Sequence, residues 1–210
     1  DFVHDLKNHL LMRTWPQVED SPLDEHDFSP DDRQSIIIVG ERMYQHKVLR
    51  INYTSYDVRR EQDIINPRTG SDVVMLAPED MRDAHPYWYA RVVGIYHVLI
   101  HDKHDVNTAA TPKQIDFLWV RWYGIDDSYQ SGFGAKRLHH VGFLNAKEPG
   151  AFGFIDPNDV LRAVHLLPTF VCGTTDEFLE GPSIARRLDE DDEDYERYYV
   201  NLYVLFTLHM

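Results

Sequence analysis

Between His85 and Phe170 the chain runs as a series of apolar-aromatic segments broken by polar turns, and this rhythm limits its fold more than any other feature. The segments are Pro86-Tyr-Trp-Tyr-Ala-Arg-Val-Val-Gly-Ile-Tyr96, Phe117-Leu-Trp-Val-Arg-Trp-Tyr-Gly124, Leu138-His-His-Val-Gly-Phe-Leu144 and Asp156-Pro-Asn-Asp-Val-Leu-Arg-Ala-Val-His-Leu-Leu167. Aromatic and β-branched residues in turn-bounded runs are strand material, and several such strands in succession build a small curved barrel. The fold class expected is therefore mainly β, with some α+β character from short helices, and with acidic loops.

The rest of the chain fits around that body. Phe2, Val3, Leu6, Leu10 and Leu11 recur near helical spacing, which predicts an amphipathic helix over residues 2–13 ended by Trp15-Pro16. An acidic linker follows to Asp32, so residues 1–32 form a helix and linker, and residues 33–210 form the barrel domain. Strands are expected at Ser35–Val39, Lys47–Tyr56, Val73–Leu76, Tyr87–Ile100, Ile115–Tyr123, Leu138–Leu144 and Tyr198–Phe206. Gly94 is the candidate for a bulge in the longest of them. Asp156 as a cap, with Pro157 in the first turn, predicts a short helix ending near His165–Leu167, before Pro168.

The formal charge of -14 is concentrated rather than spread. Glu19–Asp32 holds seven acids without a Lys or Arg, and Asp189–Asp194 is six consecutive acids, which leaves 22 of the 35 acids to face 21 bases elsewhere. Like-charge blocks of this kind usually form solvated loops, and the loop at 189–194 is read that way. The second reading is an acidic tether for histone tails or another basic protein segment. Cys172 stands alone, which points to a reducing, intracellular setting and to a small buried hydrophobe. No apolar run approaches the roughly 18 residues a membrane span needs, so no membrane partner is expected.

Chemistry is sparse. His97, His101 and His104 have helical metal-ligand spacing, but the surrounding segment is strand-like, and strand geometry separates them; no metal site and no cofactor is expected. Asp116 with Asp126, Asp127 or Asp159 is the carboxylate set that a metal-dependent nuclease or transposase fragment would use, and that is the alternative function. Tyr87, Trp88, Trp122, Tyr123 and Tyr129 are dense in neighbouring segments, and alternation along a strand prevents all of them from facing inward. Trp88 with Trp122, or Tyr87 with Tyr123, together with Tyr129, are the candidate aromatic groove, able to take a methyl-lysine or an unpaired base. Arg59, Arg60, Lys136 and Arg137 are the candidate contacts to DNA, although duplex binding needs a surplus of cations that the composition lacks. A structural self-association domain is the third reading.

Ala90-Arg91-Val92, Val120-Arg121-Trp122-Tyr123, Leu138–Leu144, Asp156–Leu167 and Tyr198–Tyr203 follow one another in an order that resembles the bromo-adjacent homology (BAH) domain. This resemblance, over about half of the chain, implies a BAH-like or SH3-like curved β-barrel. It departs after Tyr123, where Gly124-Ile125 stands in place of the Arg-Pro-acid turn. Over nearly the whole chain, Arg50–Arg60, Ile65–Thr69, His85–Arg91 and Leu118–Tyr123 resemble a group of fungal mobile-element proteins, whose C-terminal regions are similar to the domain that follows the catalytic core in CACTA (En/Spm-type) transposases. That likeness transfers no catalytic residue. It implies a nuclear, transposon-derived accessory module, and the leading reading is a module that is not an enzyme and binds chromatin or protein.

Overall fold

The computed structural model describes residues 1–15, 28–54, 59–78, 85–103, 111–132, 134–187 and 190–201. The fold is mainly β, an antiparallel sheet curled into a half-barrel with two short helices. Helix α1 spans Phe2–Thr14, one residue longer than the periodicity predicts, and the Asp1 carboxylate caps it by accepting from the Val3 N–H. Leu6, Leu10 and Leu11 form its buried stripe. Helix α2 is Pro30–Ser35, opened by a capping box in which Ser29 and Asp32 satisfy each other's backbone N–H groups. The last part of the expected acidic linker is therefore structured: Phe28 is buried in the core, and Asp31 and Asp32 occupy a helical first turn that favours negative charge. Residues 16–27 lie outside the described residues.

Among the described residues the strands that follow are β1 Ile36–His46, β2 Leu49–Thr54, β3 Arg60–Ile65, β4 Asp72–Leu76, β5 Tyr87–Asp102, β6 Lys113–Ile125, β7 His140–Phe143, β8 Phe152–Ile155, β9 Val160–Ala163, β10 Leu166–Pro168, β11 Thr174–Thr175, β12 Asp194–Tyr195 and β13 Tyr198–Val200. The main sheet runs β10-β13-β7-β6-β5-β4-β9, with β1 also on β5 and β8 also on β6. The three expected neighbours, β5, β6 and β7, lie side by side.

The β5–β6 hairpin is the spine, because each of its strands is long enough to serve two different partners on its outer side. β5 pairs with β4 through its first half and with β1 through its second; β6 pairs with β8 through its middle and with β7 at its end. The halves of β5 are separated by a bulge between Val92 and Gly94. A Cβ on Gly94 would stand 2.3 Å from the Tyr96 ring, so the missing side chain lets the strand bend there.

One expectation fails between residues 156 and 167. Asp156 does cap, accepting from the Asn158 N–H at 2.9 Å, but the turn it starts is a single 3-10 turn, Pro157–Asp159. The chain then extends into β9 and β10. Val160, Arg162, Val164 and Leu166 are buried while the residues between them are more exposed, a period of two that a helix cannot produce. Of the expected strand Tyr198–Phe206, β13 supplies Tyr198–Val200, and residues 202–206 lie outside the described residues.

Three apolar clusters hold these elements. Leu6, Leu10 and Leu11 of α1 pack with Ile36, Val98, Ile100, Ile115 and Phe117. Tyr89, Tyr123, Phe143, Val164 and Tyr198 form a second cluster, and Ile65, Val73, Val92, Leu118 and Val120 a third. The third brings the β2–β3 hairpin onto the main sheet through Ile65, Leu49 and Ile51. Among the described residues no helix is long and apolar enough to cross a membrane.

Candidate functional site

Arg91 and Arg121 each stand in the middle of an apolar strand run, and the β5–β6 register places them directly opposite one another, both buried. Like charges facing each other across strands repel, and burial deepens the cost unless each is paired. Asp72 supplies the first partner: it is the register partner of Arg91 on β4, and its Oδ1 accepts from Arg91 Nε at 3.1 Å. The row Asp72–Arg91–Arg121 thus crosses three strands on one face.

The remaining partners come from the far end of the chain. Asp194 accepts from Arg121 Nη1 and Nη2 at 3.0 and 2.8 Å, a two-pronged pairing, and Arg186 reaches the same carboxylate. Glu190 accepts from Arg91 Nη1, and Arg187 donates to Asp72 Oδ2 at 2.7 Å. The Tyr123 hydroxyl donates to Asp72 Oδ1 at 2.9 Å, and the Phe143 ring lies 3.8 Å below the Arg121 guanidinium. Burial alone would push the Asp72 carboxyl up, yet Arg91 and Arg187, helped by the hydrogen bonds from Arg91 and Tyr123, hold it below the ordinary range. Burial pushes the Tyr123 hydroxyl well above its ordinary range, so it remains a donor.

This arrangement corrects the reading of residues 189–194 as merely a solvated loop. Glu190 and Asp194 turn inward to neutralise arginines, while Asp191, Asp192 and Glu193 remain exposed. The signal was present in the sequence: an arginine inside an apolar strand needs a carboxylate, and the nearest dense supply is the acidic run.

The aromatic residues of the candidate groove fall into two pairs, with Tyr129 apart from both. Trp88 and Trp122 meet edge to face at 5.5 Å, with Trp122 against the third cluster. Tyr87 and Tyr123 belong to the second cluster, where Tyr123 is 6% exposed and stacked on Phe143. Tyr129 leaves the sheet altogether, lying against His140 and Tyr199 with Arg137 over its ring. Alternation along β5 and β6 separates neighbours to opposite faces, so adjacent aromatics cannot share a groove. Cys172 is half-buried in a turn rather than buried.

The candidate DNA contacts fall on two elements. Arg59 precedes β3 and Arg60 opens it, bordering an open depression of about 500 Å³ with Tyr53, Glu61 and Gln62. Lys136 and Arg137 lie in the loop before β7, Lys136 with φ of 51°. All four are exposed.

Asp116 and Asp126 of the nuclease reading are kept apart. Asp116 lies near the start of β6 and Asp126 just past its end, about 30 Å apart at the rise of a strand. Asp126 is committed to Ser128, His140 and Arg197, and the hydrogen bond from Ser128 leads in holding its carboxyl below the usual range. Asp159 neighbours Asp156, which is paired with Arg13.

His139 and His140 serve opposite sides. His139 Nδ1 meets the Ser131 hydroxyl at 3.0 Å. His140 bridges Asp126 and the Thr169 hydroxyl, 3.0 Å from each. The order acid, histidine, hydroxyl is that of a hydrolase relay, but Thr169 is 3% exposed and cannot meet a substrate, so the chain of bonds ties β7 to the segment after β10.

The outer surface of residues 170–196 has a different character. Both of its basic residues, Arg186 and Arg187, point inward to Asp194 and Asp72. Its outward side keeps Asp176, Glu177, Glu180, Asp191, Asp192 and Glu193 beside Phe170, Val171 and Ile184, which are 75%, 90% and 76% exposed. β11 and β12 bring the parts together: Thr174 donates to Glu193, and Phe170 packs edge-on against Tyr195.

Compared with protein families, curated proteins and solved structures, the chain matches none.

Proposed function

We propose that this chain is a non-catalytic binding module whose partner is a basic protein segment carrying an apolar side chain, such as a histone tail. The observation that carries the reading is the surface of residues 170–196. Its two arginines are consumed internally, so its exposed side is acidic, and exposed Phe170 and Val171 offer an anchor beside that charge. Complementary charge would guide a basic partner, and the apolar residues would hold it. The candidate duplex contacts Arg59–Arg60 and Lys136–Arg137 are placed on separate elements, and the composition lacks the surplus of Lys and Arg that phosphate attraction needs. The setting, a nuclear accessory module of a transposase-related protein, rests on the sequence resemblance.

Titrating the chain with histone-tail peptides and with a random duplex at one moderate salt concentration tests the reading. Peptide binding that weakens when Asp191, Asp192 and Glu193 are all changed to Ser, or in Phe170→Ser, is the expected result. Tight, salt-sensitive duplex binding with no peptide binding would overturn it.

A further inference from the structure

We propose a transition-metal site formed by His46, His97 and Asp116 on the exposed face of β1, β5 and β6. It lies outside the surface assigned to the basic partner and does not depend on it. His97 and Asp116 are register partners across β5 and β6, and Tyr44 is the partner of His97 on β1. Directly opposed residues share a face, and so do residues two apart along a strand, so Tyr44, His46, His97 and Asp116 all project to one side.

The donor atoms have already converged. His46 Nε2 lies 2.6 Å from His97 Nδ1, and the ligand atoms of all three residues fall within 4.8 Å of one another. At Zn–N distances of roughly 2.0–2.1 Å, two imidazole nitrogens on one tetrahedral ion stand about 3.3 Å apart, so the rings need separate by less than about 1 Å. An ion would take the place of the direct hydrogen bond between the two ring nitrogens.

The surroundings hold the ligands in place. Tyr44 stacks on the His97 ring at 4.8 Å with an interplanar angle of 11°, and Gln114 Nε2 donates to Asp116 Oδ1 at 3.1 Å. Groups of this kind, one step outside the ligands, fix ring and carboxylate orientation in metal sites. Two imidazoles and one carboxylate favour Zn2+, Co2+ or Ni2+ over Mg2+ or Ca2+. His46 and Asp116 are exposed, so solvent would complete the coordination.

Co2+ added to the tag-free full chain, followed by its visible d–d absorption, tests the site, with Zn2+ competition as a second arm. Saturation at one ion per chain is expected. Loss of a supporting group alone costs roughly 10–100-fold in metal affinity, so His46→Ala and His97→Ala should each weaken binding by at least about tenfold. The exposed His165→Ala should leave it unchanged. His46 is solvent-exposed, so its variant decides the matter if His97→Ala melts early. Absence of saturable binding, or equal affinity in wild type and His46→Ala, would overturn the proposal.

Discussion

Arg121 and Asp194, seventy-three residues apart in the chain, meet through paired hydrogen bonds of 3.0 and 2.8 Å while 0% and 1% of their side chains are exposed. Breaking one partner of such a pair leaves a buried charge uncompensated, at a cost of about 3–5 kcal/mol. Asp194→Ala should therefore lower stability in urea denaturation by several kcal/mol. Asp191→Ser and Asp192→Ser, in the same acidic run but exposed, should stay within about 0.5 kcal/mol of wild type.

The Tyr123 hydroxyl contributes a smaller share to the same network. Tyr123→Phe removes its donation to Asp72 and leaves the rest of the packing in place. The expected loss is about 1.5–3 kcal/mol, read from the shift in denaturation midpoint at unchanged slope.

His9 confers a pH dependence. It packs against the Phe117 and Phe154 rings, and burial, assisted by Arg13, lowers its pKa to about 3. The unfolded chain takes up a proton there near pH 6.5, which the folded chain accepts only near pH 3. Stability from this group is complete above pH 6.5 and falls as the pH drops from there toward 3. Half-buried His85 and His139 act in the same direction. In His9→Leu the difference in melting temperature between pH 7 and pH 5 should shrink; an unchanged difference would assign the effect to the other histidines.

Gly142 on β7 is required by its neighbour. A Cβ there would lie 2.7 Å from the Glu196 carbonyl oxygen and 2.8 Å from Arg197 Nη1. A backbone oxygen cannot move aside cheaply, so Gly142→Ala should cost about 1–3 kcal/mol. Gly134→Ala, with nothing within 4 Å of the added carbon, is the matched control in the same denaturation experiment.

The strands of the spine were legible because their alternation is local: β5, β6 and β7, and the bulge at Gly94, follow from runs of apolar and aromatic residues. The segment 160–167 was misread although its alternation was present. Asp156-Pro157 is a sound helix opening, but Val160 and Val164 favour extension, and pairing with β4 and β13 secured it. The site was less legible, because it depends on distant pairs. Nothing near Arg121 in sequence announces Asp194, and His46 meets His97 only because β1 lies beside β5. Strand alternation, a local signal, did separate the Trp88–Trp122 pair from the Tyr87–Tyr123 pair.

The charged row of the sheet also sets an order of events. Arg91 and Arg121 are made well before Arg186, Glu190 and Asp194, so a nascent chain holding both hairpin strands carries two facing cations with only Asp72 to balance them. Until residues from 186–194 pack on it, such a hairpin leaves its buried arginines short of carboxylates, so its interior closes dry only with that segment in place. The acidic run that keeps the finished surface negative is thus also the segment whose arrival lets the barrel complete itself.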